Sequence, residues 1–152
     1  MVNIVASYFF GGISGSAAAD TASLGSLEIP MMTDRGYDVD FSTAVTISSS
    51  VEGMLVPPSH NMVIYATMAG GLSVGSLFLA GYIPGAVLAG SLMIMSYVLS
   101  KKRHYPKGSA FSLKRLWNEA KTSLWALSAI LIVVVGVVAG VFTATESAAI
   151  AV

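Results

Sequence analysis

Three features of the sequence predict an all-α protein embedded in a membrane. The 152 residues are 55% hydrophobic and only 11% charged, with a mean hydropathy of +0.75, whereas soluble domains carry about 25% charged residues. No Asp, Glu, Lys or Arg occurs from Gly53 to Ser100, a run too long for a single span of roughly 20 residues. Finally, two helix-breaking stretches interrupt the apolar sequence: Gly11-Gly12-Ile13-Ser14-Gly15-Ser16-Ala17-Ala18-Ala19-Asp20 and Val56-Pro57-Pro58-Ser59. Irregular backbone survives at membrane depth only where protein buries it or where it lines a polar cavity. Two such breaks in a short chain point to a transport site.

In chain order, Ile4 to about Pro30 reads as a Gly/Ser-interrupted apolar segment. We expect it to form the tip and second arm of a re-entrant hairpin, within a first unit of residues 1–40. Met31 to Asp40 is a polar connection with Asp34-Arg35-Gly36-Tyr37 as its turn. Residues 41–100 should hold a discontinuous transmembrane helix, broken at Pro57-Pro58 and continuing through Tyr65, then a second span around Leu77 to Leu99. Gly70-Gly71, Gly81 and Pro84 are read as interruptions between and within these pieces. Residues 101–123 combine a basic loop with an amphipathic helix. Phe111, Leu113, Leu116, Trp117, Ala120 and Leu124 share its apolar face, and Lys114, Arg115, Asn118, Glu119 and Lys121 the polar one. Trp117 and Trp125 are its interface anchors. Residues 124–152 begin with a clean span, Leu124 to Phe142, rich in Ile and Val.

Net charge is zero but its distribution is lopsided. Seven of the eight Lys and Arg residues lie between Lys101 and Lys121, and six of the eight acids precede Gly53. Short loops rich in Lys and Arg stay cytoplasmic, so residues 101–121 are expected on the cytoplasmic side. Basic charge between two apolar spans is a topology signal rather than a nucleic-acid footprint. The absence of cysteine rules out disulfides and thiolate metal sites. Met1-Val2-Asn3-Ile4 shows no basic region or cleavage site of a signal peptide.

The first break offers Ser14 and Ser16 around Gly15, with Asp20 following. A helix interrupted there would present hydroxyls, freed carbonyls and a positive helix N-terminus, groups suited to a sodium ion and a carboxylate. Gly11, Gly15 and Ala19 at spacing four would equally serve close helix packing, as would Gly71/Gly75, Gly81/Gly85 and Gly136/Gly140. Gly12-Ile13-Ser14-Gly15 also has the form of a rhomboid-type intramembrane serine protease, which would need His60 or His104 to activate Ser14. At the second break neither proline can continue a helix, and the flanking sequence is too apolar for a water-exposed loop. Asn61, just beyond, could donate to a ligand carboxylate or satisfy freed carbonyls. Glu52 is an acid near membrane depth, a functional candidate by default, although a helix end at the interface would hold it as well. Phe142-Thr143-Ala144-Thr145-Glu146 closes the last span and reads also as a capping box for the next helix.

Taken in order, these blocks resemble the large membrane subunit of tripartite ATP-independent periplasmic (TRAP) transporters, the DctM-like family. The likeness rests on Gly12 to Asp20, Ile29-Pro30-Met31, Gly36-Tyr37, Pro57-Pro58-Ser59, Leu77-Phe78-Leu79-Ala80-Gly81, Pro84-Gly85 and Phe142-Thr143-Ala144-Thr145-Glu146. It implies part of an elevator-type secondary transporter, its first inverted repeat, in the bacterial inner membrane. It implies no enzyme and no organic cofactor: sodium couples import of organic acids such as C4-dicarboxylates or sialic acids. Expected partners are a periplasmic substrate-binding protein, a small membrane subunit, the remainder of the large subunit and the bilayer, with no nucleic acid. By this likeness Ser14, Gly15, Ser16, Asp20, Pro57, Pro58, Ser59, Asn61, Thr143 and Thr145 line substrate and ion positions, with Ser14 and Ser16 as sodium ligands. The family usually has proline where this chain has Ala144, and its members are much longer. The chain is therefore expected to be a fragment, an incomplete gene product or one piece of a split subunit, unable to transport alone. An intramembrane serine hydrolase and a non-transporting membrane scaffold are the alternative readings.

Overall fold

The computed structural model describes residues 1–106 and isolated positions between 117 and 146. The chain divides into two units, Met1–Pro106 and Lys107–Val152. Among the described residues the first unit is wholly helical: α1 (Val2–Ser14), α2 (Ala17–Thr33), α3 (Val39–Ser50), α4 (Glu52–Leu55), α5 (His60–Met68) and α6 (Val74–Lys102). In the second unit Trp117 and Lys121 are helical, and the Lys121 Nζ lies 5.5 Å from the Trp117 ring centroid. Most of the expected basic helix and of the span Leu124 to Phe142, together with Thr143 and Thr145, lie outside the described residues.

Each break has a local cause. α1 ends where Gly15 takes the left-handed conformation (φ 60°, ψ 13°) and its N–H closes on Gly11 O at 2.8 Å, a glycine stop at a helix C-terminus. Ser16 is extended, and its hydroxyl accepts from the Ala19 N–H, capping α2. α1 and α2 therefore form a helical hairpin with its tip at Gly15. Their outer ends also meet, since the Asn3 Nδ2 donates to the Met32 Sδ at 3.8 Å. At 1.5 Å per residue the arms are about 20 and 26 Å long, shorter than a hydrocarbon core of about 30 Å. The helix α1 (Val2–Ser14) precedes the tip.

α3 and α4 run almost continuously through Val51, which is itself α-helical in conformation. The chain then extends at Val56 and Ser59 and restarts as α5. The Pro57–Pro58 peptide bond is cis, and the Ser59 hydroxyl donates back to Met54 O at 2.8 Å, bridging the break. Gly70 and Gly71, both at positive φ, carry the turn into α6.

α6 runs without interruption from the Ser73 cap to Lys102, through Gly81 and Pro84. These were expected as interruptions. Pro84 is tolerated as prolines are in membrane helices, while Gly81 and Gly85 are packing positions. Gly85 faces the Val56 and Tyr8 side chains, and Gly81 faces Leu55 and Met62. With 29 residues, about 44 Å, α6 is the one described helix long and apolar enough to cross a membrane.

α1 sits at the centre, packed on α2, α3, α4 and α6. Its interface with α3 is polar and buried. Asn3 Nδ2 donates to Thr46 Oγ1 at 2.8 Å, Ser49 Oγ donates to Asn3 Oδ1 at 3.0 Å, and the Ser7 and Ser49 hydroxyls pair at 3.1 Å. Without a strong hydrophobic force between helices in lipid, such hydrogen bonds help to specify partners. The outward faces are apolar, with Ile83, Val87, Ile94 and Val98 of α6 exposed. At the opposite end from the tip, Tyr37, Phe41 and Tyr105 stack together. There Arg103 Nη1 pairs with Asp38 Oδ2 at 2.8 Å, and the Tyr105 hydroxyl donates to the same oxygen.

Candidate functional site

The two breaks meet. A Cβ on Gly15 would lie 2.8 Å from the His60 Nδ1, 3.0 Å from the His60 N and 3.2 Å from the Pro58 O. The hairpin tip therefore rests directly on the backbone of the Pro57-Pro58-Ser59 break, and only glycine permits that approach and that φ. One turn earlier, α1 crosses α4 with equal intimacy: a Cβ on Gly11 would lie 2.5 Å from the Gly53 Cα. The spacing Gly11/Gly15 thus serves close packing and the break together. Gly15, Pro57 and Ser59 are buried at this junction, and Ser14, Ser16 and Pro58 are partly accessible.

The hydroxyls of the tip are engaged locally. Ser14 Oγ donates to Ser16 O at 3.3 Å and accepts from Ser16 N at 3.4 Å, while Ser16 Oγ accepts from Ala19 N at 3.4 Å. Both side chains hold the turn in shape. Ser14 forms no hydrogen bond to an imidazole, although the His60 ring lies against Gly15, so the structure gives no nucleophile–base pair for a serine hydrolase. Asn61 is exposed on α5 and is not drawn into the junction.

Asp20 is fully buried in the first turns of α2, and Glu52 is fully buried at the start of α4. Neither carboxylate has a hydrogen-bond partner. They belong to one neighbourhood. Gly53 packs against the Ser16 carbonyl carbon, at 3.6 Å from its ideal Cβ, and the Asp20 N–H bonds to Ser16 O at 3.0 Å. Glu52, which the sequence leaves open between a site and an interfacial helix end, is a buried residue at the start of α4. From sequence His60 is weighed only as an activator of Ser14, and the Asn3, Ser7, Thr46 and Ser49 network is not singled out. Six hydroxyl residues in one helix, Ser42, Thr43, Thr46, Ser48, Ser49 and Ser50, were the available signal.

The family model for the DctM component of the tripartite ATP-independent periplasmic transporters matches residues 1–152. Over 150 residues the chain is 45% identical to the sialic acid TRAP transporter permease protein SiaT of Haemophilus influenzae, covering 99% of this chain and 24% of that protein. It is 44% identical over 149 residues to the sialic acid TRAP transporter large permease protein SiaM of Vibrio cholerae, covering 98% and 35%. It is 35% identical over 162 residues to the C4-dicarboxylate TRAP transporter large permease protein DctM of Rhodobacter capsulatus, covering 98% and 37%. The chain thus spans between about a quarter and somewhat over a third of the length of these relatives, which are transporter permeases and not enzymes. With the family model matched from end to end, and with both breaks that carried the resemblance present in the fold, the chain belongs to the DctM component family of tripartite ATP-independent periplasmic transporters.

Proposed function

We propose that this chain forms part of the substrate- and ion-handling core of a sodium-coupled large permease subunit in the bacterial inner membrane. In this reading the permease imports organic acids, such as sialic acids or C4-dicarboxylates, delivered by a periplasmic binding protein. It works with a small membrane subunit and the remainder of the large subunit. The observation that carries the proposal is the contact between the two helix breaks, Gly15 against Pro58 O and His60 N. Broken helices facing one another bring hydroxyls, free carbonyls and helix N-termini to one place, the arrangement by which secondary transporters bind coupling ions and carboxylates.

Sodium is a hard cation and takes oxygen ligands. The residues present suit it: Ser14 Oγ, Ser16 Oγ and the carbonyls freed at both breaks. The start of α5, at Ser59-His60-Asn61, offers its N–H groups to a carboxylate. In the proposed orientation α1 and α2 enter and leave by the cytoplasmic face as a re-entrant hairpin. The basic end of α6, Lys101-Lys102-Arg103, is tied to the α2–α3 connection through Asp38, which supports reading both at one membrane face. Elevator motion of the hairpin with its broken helix is part of the same proposal.

The test replaces the matching segment of Vibrio cholerae SiaM by this chain and reconstitutes the chimera with its partners in proteoliposomes. Ser14→Ala and Ser16→Ala should insert normally yet need more sodium for half-maximal sialic acid uptake. Unchanged sodium dependence in both variants would assign these hydroxyls to capping alone and overturn their role as ligands.

A further inference from the structure

We propose that, given the membrane placement of α6 and independently of the sodium and substrate roles above, the outer face of α6 binds a phospholipid with an anionic headgroup. Its acyl chains lie along an apolar stripe of the helix, and its phosphate sits between the Lys101 and Lys102 ammoniums. At about 100° per residue, Ile83, Val87, Ile94 and Val98 fall within about 60° of one another around α6. Lys101 and Lys102 stand at the end of this stripe, within a sector of about 100°. The four apolar side chains are 56 to 73% exposed. A helix of 29 residues, about 44 Å, matches the roughly 40–45 Å of a bilayer with its headgroups. The stripe then lies in the hydrocarbon and both lysines at headgroup depth.

The character of the stripe favours lipid over a further helix. Helices that pack in lipid use small residues to approach closely, and the buried small residues of α6 all lie on the opposite side: Gly81, Gly85, Ala89 and Ser96. There Gly81 meets Leu55 and Met62, and Gly85 meets Val56 and Tyr8. The outer side carries bulky branched side chains instead. Its two small residues make no neighbouring contact, since nothing lies within 4 Å of a Cβ placed on Gly90 and the Ser91 hydroxyl returns to Leu88 O at 2.8 Å.

The charges at its end call for an anion. Lys101 and Lys102 are exposed, and among the described residues neither forms an ion pair. Arg103 is different, because Asp38 and the Tyr105 hydroxyl already hold its Nη1. The other acids near this end, Asp34 and Asp40, are exposed and pair with neither lysine. Two ammoniums therefore remain for a phosphate, and basic side chains at the end of a membrane helix attract anionic lipid. Tyr97 is exposed one turn before Lys101, at the headgroup level where tyrosines concentrate, and its hydroxyl can donate to phosphate or ester oxygens. A free phosphate would use the lysines alone; the stripe from Ile83 to Val98, about 22 Å long, gives acyl chains a surface as well.

Native mass spectrometry of the SiaM chimera in detergent, titrated with phosphatidylglycerol, phosphatidylcholine or glycerol 3-phosphate, tests this without a transport readout. Phosphatidylglycerol should be retained at concentrations where the other two are not. Lys101→Gln with Lys102→Gln should weaken that retention about 25-fold, roughly fivefold for each ammonium lost. Lys114→Gln with Arg115→Gln, an equal loss of charge elsewhere in the basic sequence, should leave it unchanged. Should the double lysine variant fail to fold, the single Lys101→Gln and Lys102→Gln variants carry the test at about fivefold each. Equal retention of phosphatidylcholine, glycerol 3-phosphate held as strongly as lipid, or an equal loss in the Lys114 and Arg115 variant would each overturn the proposal. So would retention that ignores Lys101 and Lys102, the result expected if the remainder of the subunit covers this face. Lipid selectivity that persists while the chimera shows no sodium-driven uptake would uphold this site and count against the transport reading alone.

Discussion

Replacing Gly15 by alanine tests whether the two helix breaks truly bear on each other. Gly15 has φ 60°, a conformation that costs an L-residue about 1–2 kcal/mol. The added Cβ would also stand 3.0 Å from His60 N and 3.2 Å from Pro58 O. Those are backbone atoms of a proline-stiffened segment, so they cannot swing aside as a side chain would, and overpacking of this kind adds about 1–3 kcal/mol. The expected loss is thus roughly 2–5 kcal/mol. Gly70 supplies the control, because its φ is 74° and nothing lies within 4 Å of the Cβ it would gain. Gly70→Ala carries the conformational cost alone, about 1–2 kcal/mol. Unfolding free energies of both variants, from SDS titration of the chimera in mixed micelles, give the difference directly. Equal losses for Gly15→Ala and Gly70→Ala would refute the contact between the breaks.

Three further outcomes follow from the same structure. Asn3→Ala strands Thr46 and Ser49 on one partner fewer each and should destabilise the first unit by about 1–3 kcal/mol; a loss no larger than that of the exposed Ser91→Ala would contradict the network. The hydrogen bonds of Tyr105, then of Arg103, hold the Asp38 carboxyl below its ordinary value of 3.8. Its stabilisation is therefore present above that pH and lost as pH falls through the lower folded-state value. Asp38→Asn should remove this part of the acid limb in a pH titration of stability, and identical limbs in parent and variant would exclude it. In the cysteine-free chain, single cysteines at Ser109 and Asn118 should react with impermeant thiol reagents only from the cytoplasmic side, and periplasmic labelling in intact cells would reverse the topology.

What the sequence could determine was whatever depends on local chemistry. Low charge and a long uncharged run commit the chain to lipid, because ionised groups there are costly at almost any position. Gly15 and Pro57-Pro58 break helices wherever they are placed, since one favours positive φ and the others lack an N–H. Both breaks were therefore legible to within a residue or two. Proline is the weaker signal of the two: α2 and α6 run through Pro30 and Pro84, as membrane helices tolerate.

Only the tertiary structure decided which breaks meet, and which polar groups are buried with them. Gly15 and Pro58 are 43 residues apart in the chain, as are Asn3 and Thr46, and no local pattern encodes such a pairing. Asn61 and His60 are adjacent in sequence and both exposed, yet it is the His60 ring that abuts the tip, because consecutive residues on a helix point about 100° apart. Asp20 and Glu52 read as two isolated acids until the hairpin folds onto α4 and removes both from water. The sequence names the groups able to bind ions, while packing over long chain separations determines which of them share one low-dielectric space.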